Sequence, residues 1–262
     1  MTATETGVDR LAAAFAARRG RAALMPYLMG GHPDLEASKA CIEAAADAGA
    51  DLIELGVPFS DPLADGPVIH AAGTRALEAG VSPGQVLELC EAASQRLPVV
   101  LMVYANIVLA GGAEAYVRRA AQAGASGLIV PDLPHDEAAQ LRAACDAEGI
   151  ALVPLVAPTT PADRLAAIGA DARGFVYVVS LSGTTGERSE LGADLSTLVE
   201  HTRAVTTVPV AVGFGISTGE QAASVGELAD GVIVGSRVVR AAEEDGAEGV
   251  GRVVAELAAA LA

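Results

Sequence analysis

Short runs of apolar residues alternate along the chain with longer segments whose apolar residues recur at helical spacing. Several of these runs are continuously apolar, which is typical of strands buried on both faces of a parallel sheet. Eight such strands are predicted, over residues 23–29, 51–55, 99–104, 127–130, 151–156, 174–180, 208–212 and 231–234. The Ala-rich segments between them predict helices over residues 35–48, 82–96, 113–123, 136–148, 161–168, 195–206 and 218–228.

The ends of these segments carry residues that favour helix boundaries. N-caps are predicted at Asp34, Ser82, Asp136, Thr160 and Ser217. Helix ends are predicted at Gly49, Gly124, Gly149 and Gly169. The first twenty residues place charged residues on both sides of an apolar part, which is the wrong order for a signal peptide and predicts a short amphipathic helix.

Eight strands alternating with helices in 262 residues predict a (β/α)8 TIM barrel with an N-terminal helix and extra helices in the βα loops. Two connections are long: residues 56–98, with an extra helix near residues 71–79, and residues 180–194. No linker divides the chain, so one domain over residues 1–262 is the simplest interpretation. An open doubly wound sheet is the alternative, and it is weaker because no GxGxxG follows the first strand.

The most informative feature of the composition is the net charge of −16. A surface this acidic repels nucleic acid and anionic membranes, and no apolar run is long enough to span a bilayer. Three scattered cysteines without metal-ligand spacing suit a reducing, cytoplasmic location. An anionic substrate would need a local device, such as the N–H groups at helix starts.

The most informative stretch is LIELGVPFSDPLADGP, residues 52–67. Alternation along the strand places Glu54 on the face of Leu52, and the loop after it carries Asp61 and Asp65. A buried carboxylate without a partner is costly, so Glu54 is a candidate catalytic residue. The alternative is a structural Glu paired with an internal Arg or Lys.

Three Gly-rich turns follow the last three predicted strands: SGTTG at residues 182–186, GFGIS at residues 213–217, and GS at residues 235–236. Glycine allows backbone N–H groups to approach an oxyanion closely, and a helix start adds partial positive charge. Together they predict a phosphate site, although each alone could be only a turn. Metal hydrolysis and nucleotide binding lack a supporting motif, since HExxH, a P-loop and a nucleophile elbow are missing from the sequence.

The chain resembles the α subunit of tryptophan synthase. The resemblance is carried in the family's order by ELGVPFSDPLADGP, VYAN, IVPDLP, APTTP, YVVSLSGTTGE, GFGIS and VGS, which cover nearly the whole barrel. It implies cleavage of indole-3-glycerol phosphate to indole and glyceraldehyde 3-phosphate in the last stage of tryptophan biosynthesis. It also implies no cofactor in this subunit, and an α2β2 complex with a β subunit that carries pyridoxal phosphate.

The resemblance also assigns roles to residues. Glu54 and Asp65 match the catalytic carboxylates, one exchanging protons with the indole C3 and the glycerol hydroxyl and the other facing the indole N–H, and Tyr177 matches the tyrosine beside the catalytic Glu. Phosphate-binding positions carry over onto Gly186, Gly215, Gly235 and Ser236. The substrate pocket carries over onto Met102, Tyr104, Ile129, Thr185 and Phe214.

Chemistry from the residues agrees with these roles. A Glu that both gives and takes protons near neutral pH needs a raised pKa, which an apolar barrel and a second carboxylate supply. Residues 181–191 look like a mobile lid over the bound phosphate, because their Gly and Ser/Thr content gives few groups to pack. The resemblance implies that the loop carrying Asp61 and Pro62 faces the β subunit. Departures from common family patterns occur at Leu181, Leu24 and residues 31–32, and they affect lid motion and coupling to the partner.

Three other functions stay open from the sequence. The chain could be a stand-alone lyase that releases free indole, or a catalytically weak subunit that acts only by allosteric binding. A different sugar-phosphate isomerase or aldolase is less well supported, because the predicted strands contain no Lys for a Schiff base.

Overall fold

The structure is a computed structural model that describes residues 5–18, 20–179, 188–213 and 215–262, with backbone alone for 188–194. Nine short strands form one parallel sheet in the order β5-β4-β3-β2-β1-β9-β8-β7-β6. The strands are β1 Ala23–Met29, β2 Ile53–Gly56, β3 Val99–Met102, β4 Ala125–Ile129, β5 Ala151–Leu152, β6 Leu155–Val156, β7 Val176–Val179, β8 Val210–Gly213 and β9 Gly231–Val234.

The sheet closes into a barrel through one interrupted strand. Strands β5 and β6 stand at opposite ends of the strand order, yet only two residues separate them along the chain. Val153 N–H donates to Leu128 on one side, and the Pro154 carbonyl accepts from Tyr177 N–H on the other. Proline has no N–H to donate, which interrupts the ladder at this point. The predicted strand over residues 151–156 is therefore two short pieces, and the predicted (β/α)8 barrel is confirmed.

Eleven α-helices surround the described part of the barrel or cover its ends. They are α1 Gly7–Ala17, α2 Leu35–Asp47, α3 Pro67–Glu78, α4 Pro83–Ser94, α5 Ala105–Ala110, α6 Ala113–Gln122, α7 Ala139–Glu148, α8 Ala162–Asp171, α9 Arg188–Val205, α10 Gly219–Gly226 and α11 Ser236–Leu261. None of the helices described is both long and apolar enough to cross a bilayer.

The two faces of the sheet pack into separate cores. The outward side chains, such as Ile53 and Leu55, pack against the surrounding helices. Inward side chains of the strands, Leu52 among them, fill the barrel interior together with Leu11 and Phe15 of α1. Helix α1 therefore closes one end of the barrel and leaves the other end for the strand-end loops.

Most predicted helix boundaries lie within a few residues of the observed ones, but some caps were predicted wrongly. Asp34 and Ser82 cap α2 and α4 as predicted. Asp136 instead lies in a 3-10 turn before α7, and Thr218 rather than Ser217 caps α10. The predictions at Thr160 and Gly169 were also wrong, because Pro161 precedes α8 and the helix continues to Asp171.

Candidate active site

Glu54 points into the open end of the barrel from the middle of β2. It is 2% exposed, and neither carboxylate oxygen has a hydrogen-bond partner among the described residues. Burial, and then the charge of Asp65, raise the pKa of Glu54 to about 8. The structural alternative, an ion pair with an internal Arg or Lys, is not formed within the described part of the chain. Glu54 is therefore protonated at neutral pH and has no structural partner there.

Asp65 faces the same space from the loop between β2 and α3. Its Oδ1 accepts a hydrogen bond of 2.9 Å from the hydroxyl of Tyr104. That hydroxyl in turn accepts the Ala64 N–H at 3.0 Å, and the Tyr104 ring stacks on Phe59 with centroids 5.1 Å apart. Burial raises the pKa of Asp65, and the Tyr104 hydrogen bond and His70 oppose that rise. Tyr104 thus positions the carboxylate on an otherwise Gly- and Pro-rich loop.

Two tyrosine hydroxyls lie over glycines at the strand ends. A Cβ on Gly56 would overlap the Tyr27 hydroxyl, and one on Gly213 would overlap the Tyr177 hydroxyl. Burial raises the pKa of both phenols well above the usual value, and Glu54 contributes to each rise. Both phenols therefore stay protonated at neutral pH, and each keeps an O–H that can donate.

Backbone N–H groups converge opposite the carboxylates. Helix α11 begins at Ser236 with Gly235 as its N-cap, and the first N–H groups of a helix have no intrahelical acceptor. Gly215, which lies in the turn after β8, adjoins the same space. Ser217 is less available to bind an anion than the sequence suggests, because its hydroxyl and its N–H already donate to the Gln221 side chain, at 3.0 and 2.7 Å. The arrangement suits an anion at the start of α11.

A cavity of about 470 Å³ joins the two groups. It lies at the carboxyl ends of the strands, where active sites of this fold are found. Of the residues predicted from sequence, its wall contains Glu54, Asp65, Met102, Tyr177, Gly215, Gly235 and Ser236. Tyr104 is connected to the cavity by its hydrogen bond to Asp65, which lies in the wall. Ile129, in contrast, is fully buried in the barrel interior.

Four predictions lie outside the described residues or their side chains: Thr185, Gly186, Phe214 and the lid over residues 181–191. The cavity wall also contains residues that sequence reasoning missed, among them Tyr27, Arg237 and Arg240. Tyr27 follows Met25 at inward spacing on β1, which is the signal that would have found it. Arg240 lies one turn after Ser236, on the side of α11 that faces the cavity.

The comparisons with known proteins agree on one family. The family model described as "Tryptophan synthase alpha chain" matches residues 13–261. A tryptophan synthase alpha chain of Synechococcus elongatus is 49% identical over 252 residues, which cover 94% of this chain and 95% of that protein. One of Carboxydothermus hydrogenoformans is 49% identical and covers 90% of each chain.

A solved structure of Mycobacterium tuberculosis tryptophan synthase is also similar in fold. It superposes with a TM-score of 0.90 at 44% identity, covering 96% of this chain and 98% of that chain. Similarity in sequence and in fold therefore extends over nearly the whole length of both proteins.

Proposed function

The chain belongs to the tryptophan synthase alpha chain family, the lyases that cleave indole-3-glycerol phosphate, and we propose that Glu54 and Asp65 are its catalytic carboxylates. The observation that carries the proposal is Glu54, which is buried, has no hydrogen-bond partner among the described residues, and lies in the wall of a cavity that also contains Asp65 and the start of α11. A chain that needed only a barrel would not keep this side chain.

Glu54 begins the reaction as an acid, because a pKa of about 8 leaves it protonated near pH 7. It protonates C3 of the indole, which becomes tetrahedral and places positive charge on the ring nitrogen. The carboxylate that remains then takes the proton of the glycerol hydroxyl next to the ring. The C–C bond breaks, its electrons restore the indole ring, glyceraldehyde 3-phosphate leaves, and Glu54 is protonated again.

Asp65 stabilises the charge that develops on the ring nitrogen. Its carboxylate accepts the indole N–H, and the attraction is strongest when the ring is cationic, so it favours the transition state over bound substrate. The Tyr104 hydrogen bond holds Asp65 in place at 2.9 Å. Tyr177 supports Glu54 from the opposite strand, and its phenol remains protonated throughout.

The phosphate of the substrate binds at the start of α11. Gly215, Gly235 and Ser236 offer N–H groups there, and the helix dipole adds partial positive charge. Arg240 contributes a full charge at the rim, which a chain of net charge −16 needs to attract a dianion. Gly186 and Thr185 belong to the same proposed phosphate and substrate pocket, and Phe214 to its indole wall.

The chain works as the α subunit beside a pyridoxal-phosphate β subunit, in an α2β2 complex. Leu63 is 89% exposed in the loop that carries Asp65, and Leu109 is 52% exposed in α5, whose N-cap is Tyr104. Large exposed apolar side chains at the rim of a site are typical of a partner surface. The three free, buried cysteines support a cytoplasmic location.

The test is indole release from indole-3-glycerol phosphate by wild type and by Glu54→Gln, each with and without the β subunit. Because acid–base catalysis contributes about 100- to 10,000-fold, we expect kcat to fall at least about 100-fold. The exposed Glu88, changed to Gln in α4, is the matched control and should keep wild-type activity.

The four assays separate the open readings. Faster release by wild type in the presence of the β subunit supports an α subunit, and equal rates support a stand-alone lyase. Substantial activity in Glu54→Gln would refute the assignment of Glu54.

A further inference from the structure

Tyr27 lies between the two ends of the cavity. It is paired with Glu54 across the β1–β2 ladder, and its hydroxyl lies over Gly56, two residues further along the strand that carries Glu54. The other end of the side chain adjoins the phosphate region, since its Cβ would lie 3.8 Å from a Cβ on Gly235. The ring therefore spans from the start of α11 toward the carboxylates.

The hydroxyl of Tyr27 has almost no hydrogen-bond acceptor among the residues that the structure describes. The side chain is 3% exposed, and the acceptor that the described residues offer is the Met29 Sδ, at 3.9 Å. A thioether is a weak acceptor, so the donor is close to unsatisfied. Leaving a buried donor unsatisfied destabilises a fold, and a phenylalanine would fill the same space without that cost.

We infer that the Tyr27 hydroxyl donates a hydrogen bond to a hydroxyl oxygen on the glycerol part of the bound substrate. This inference rests on the proposed function. The indole faces Asp65 and the phosphate faces α11, so the glycerol chain lies between them, where the Tyr27 ring passes. A glycerol hydroxyl that gives its proton to Glu54 still has oxygen lone pairs free to accept from Tyr27. Tyr27 is thus a residue that selects for hydroxyls, while Glu54 performs the proton transfer.

A second buried tyrosine shows why the position of the hydroxyl matters. Tyr116 of α6 is also buried, and its hydroxyl has no partner in the described part of the chain, but it lies in the outer core between the sheet and the helices and does not line the cavity. Its orphan donor has no ligand to meet. Tyr116 therefore provides a control with the same chemical change and a different position.

The experiment compares wild type, Tyr27→Phe and Tyr116→Phe with two molecules. One is indole-3-glycerol phosphate, read as kcat/KM for indole release, and the other is 3-(indol-3-yl)propyl phosphate, which lacks both glycerol hydroxyls, read as an inhibition constant. We expect Tyr27→Phe to lower kcat/KM about tenfold and to leave the inhibition constant of the propyl analogue within about twofold of wild type. Tyr116→Phe should change neither quantity.

Each other outcome overturns the inference. Equal losses for both molecules would show that the ring, and not the hydroxyl, is what the site needs. A kcat/KM that does not change would show that no substrate atom accepts from Tyr27. A shifted pH profile of kcat/KM without discrimination between the two molecules would show that the hydroxyl acts through Glu54. Failure of this inference can be told apart from failure of the proposed function. If the proposed function is wrong, wild type releases no indole from indole-3-glycerol phosphate. If this inference alone is wrong, wild type still releases it.

Discussion

At the scale of the residue, the site depends on side chains whose burial is unfavourable in the absence of substrate. Glu54 and Tyr27 are both inside the barrel and almost without partners in the described protein. A core built for stability alone would replace them with Gln, Leu or Phe at little cost. Their presence is a cost in stability that substrate binding and catalysis offset, and it has measurable consequences for the free protein.

The first consequence is a stability of the folded chain that depends on the protonation of Glu54. The folded protein holds this proton up to about pH 8, whereas the unfolded chain releases it near pH 4.5. The unfolded state therefore binds fewer protons between these values, and the free energy of unfolding falls as pH rises through this window. Glu54→Gln removes that loss because the amide stays neutral.

We expect Glu54→Gln to exceed wild type in free energy of unfolding by about 4–5 kcal/mol at pH 8.5, because the rise of the pKa from 4.5 to about 8 is almost fully expressed there. The difference should shrink as the pH falls and approach zero below pH 4.5, where Glu54 is protonated in the folded and the unfolded state. Urea unfolding at pH 5 and pH 8.5 measures it, with Glu88→Gln as the control. A difference that is the same at both pH values would contradict the raised pKa.

Sequence alone could place Glu54 and Tyr27 on the inward faces of their strands, but it could not place them beside each other. Alternation along β2 is enough to place Glu54 on the inward face with Leu52. The importance of Tyr27 depends on β1 pairing with β2 in the register that sets Tyr27 beside Glu54, and on Gly56 leaving room for the hydroxyl. Strand register is a property of the closed barrel, and one chain segment does not reveal it.

At the scale of the element, helix α1 closes one end of the barrel, and this leaves the other end open for the proposed site. Helix α1 places Leu11 and Phe15, which are 0% and 3% exposed, among the inward side chains of the strands. It lies close to the strands, since a Cβ on Gly7 would come within 2.7 Å of the Ser126 Cα. The sequence predicts an amphipathic helix here, but its docking site depends on closure of the sheet.

Leu11→Ala tests this closure. The substitution removes a fully buried side chain from the interior and should lower the free energy of unfolding by about 3–5 kcal/mol, measured by urea unfolding. Leu109→Ala is the matched control, because the same atoms are removed from a side chain that is 52% exposed, and it should cost less than about 0.5 kcal/mol. Similar losses in the two variants would show that α1 does not carry the interior packing.

Two elements could not be derived from the local sequence alone. The interrupted strand at Pro154 still spans the barrel, because its two pieces pair with different neighbours, β4 and β7. Helix α5 is only six residues long, too short for a periodic pattern, and the Asp132 carboxylate accepts the Ala105 N–H at 2.8 Å where it begins. A long-range contact of this kind has no signature in the local sequence.

At the scale of the whole molecule, the net charge of the chain and the local charge at the proposed site act in opposite directions on a phosphorylated substrate. A net charge of −16 repels a phosphorylated substrate at long range, while the proposed phosphate site at the start of α11 and Arg240 would attract it locally. One domain over residues 1–262 remains a prediction. It is supported by β1 and β9, which come from the two ends of the chain and pair along four residues.

The partner surface is the last feature that belongs to the whole molecule. Leu63 precedes Ala64, whose N–H donates to the Tyr104 hydroxyl, and Leu109 lies in α5, whose N-cap is Tyr104. The Tyr104 hydroxyl in turn donates to Asp65. A partner that covers these leucines thus contacts the loop that holds Asp65, the second proposed catalytic carboxylate. The same contact that gives affinity can therefore tighten the position of Asp65, which would couple the two subunits.

We expect Leu109→Lys and Leu63→Lys each to weaken association with the β subunit at least about tenfold, because the partner would have to bury an unpaired charge. Indole release by the isolated chain should stay within about twofold of wild type, since neither side chain lines the cavity in the described part of the protein. Isothermal titration with the β subunit measures the first quantity, and Ala17→Lys, an exposed position on α1 beneath the barrel, is the control. Unchanged affinity in both leucine variants would place the partner on another face. Lost activity without the partner would instead show that the loop itself depends on these side chains.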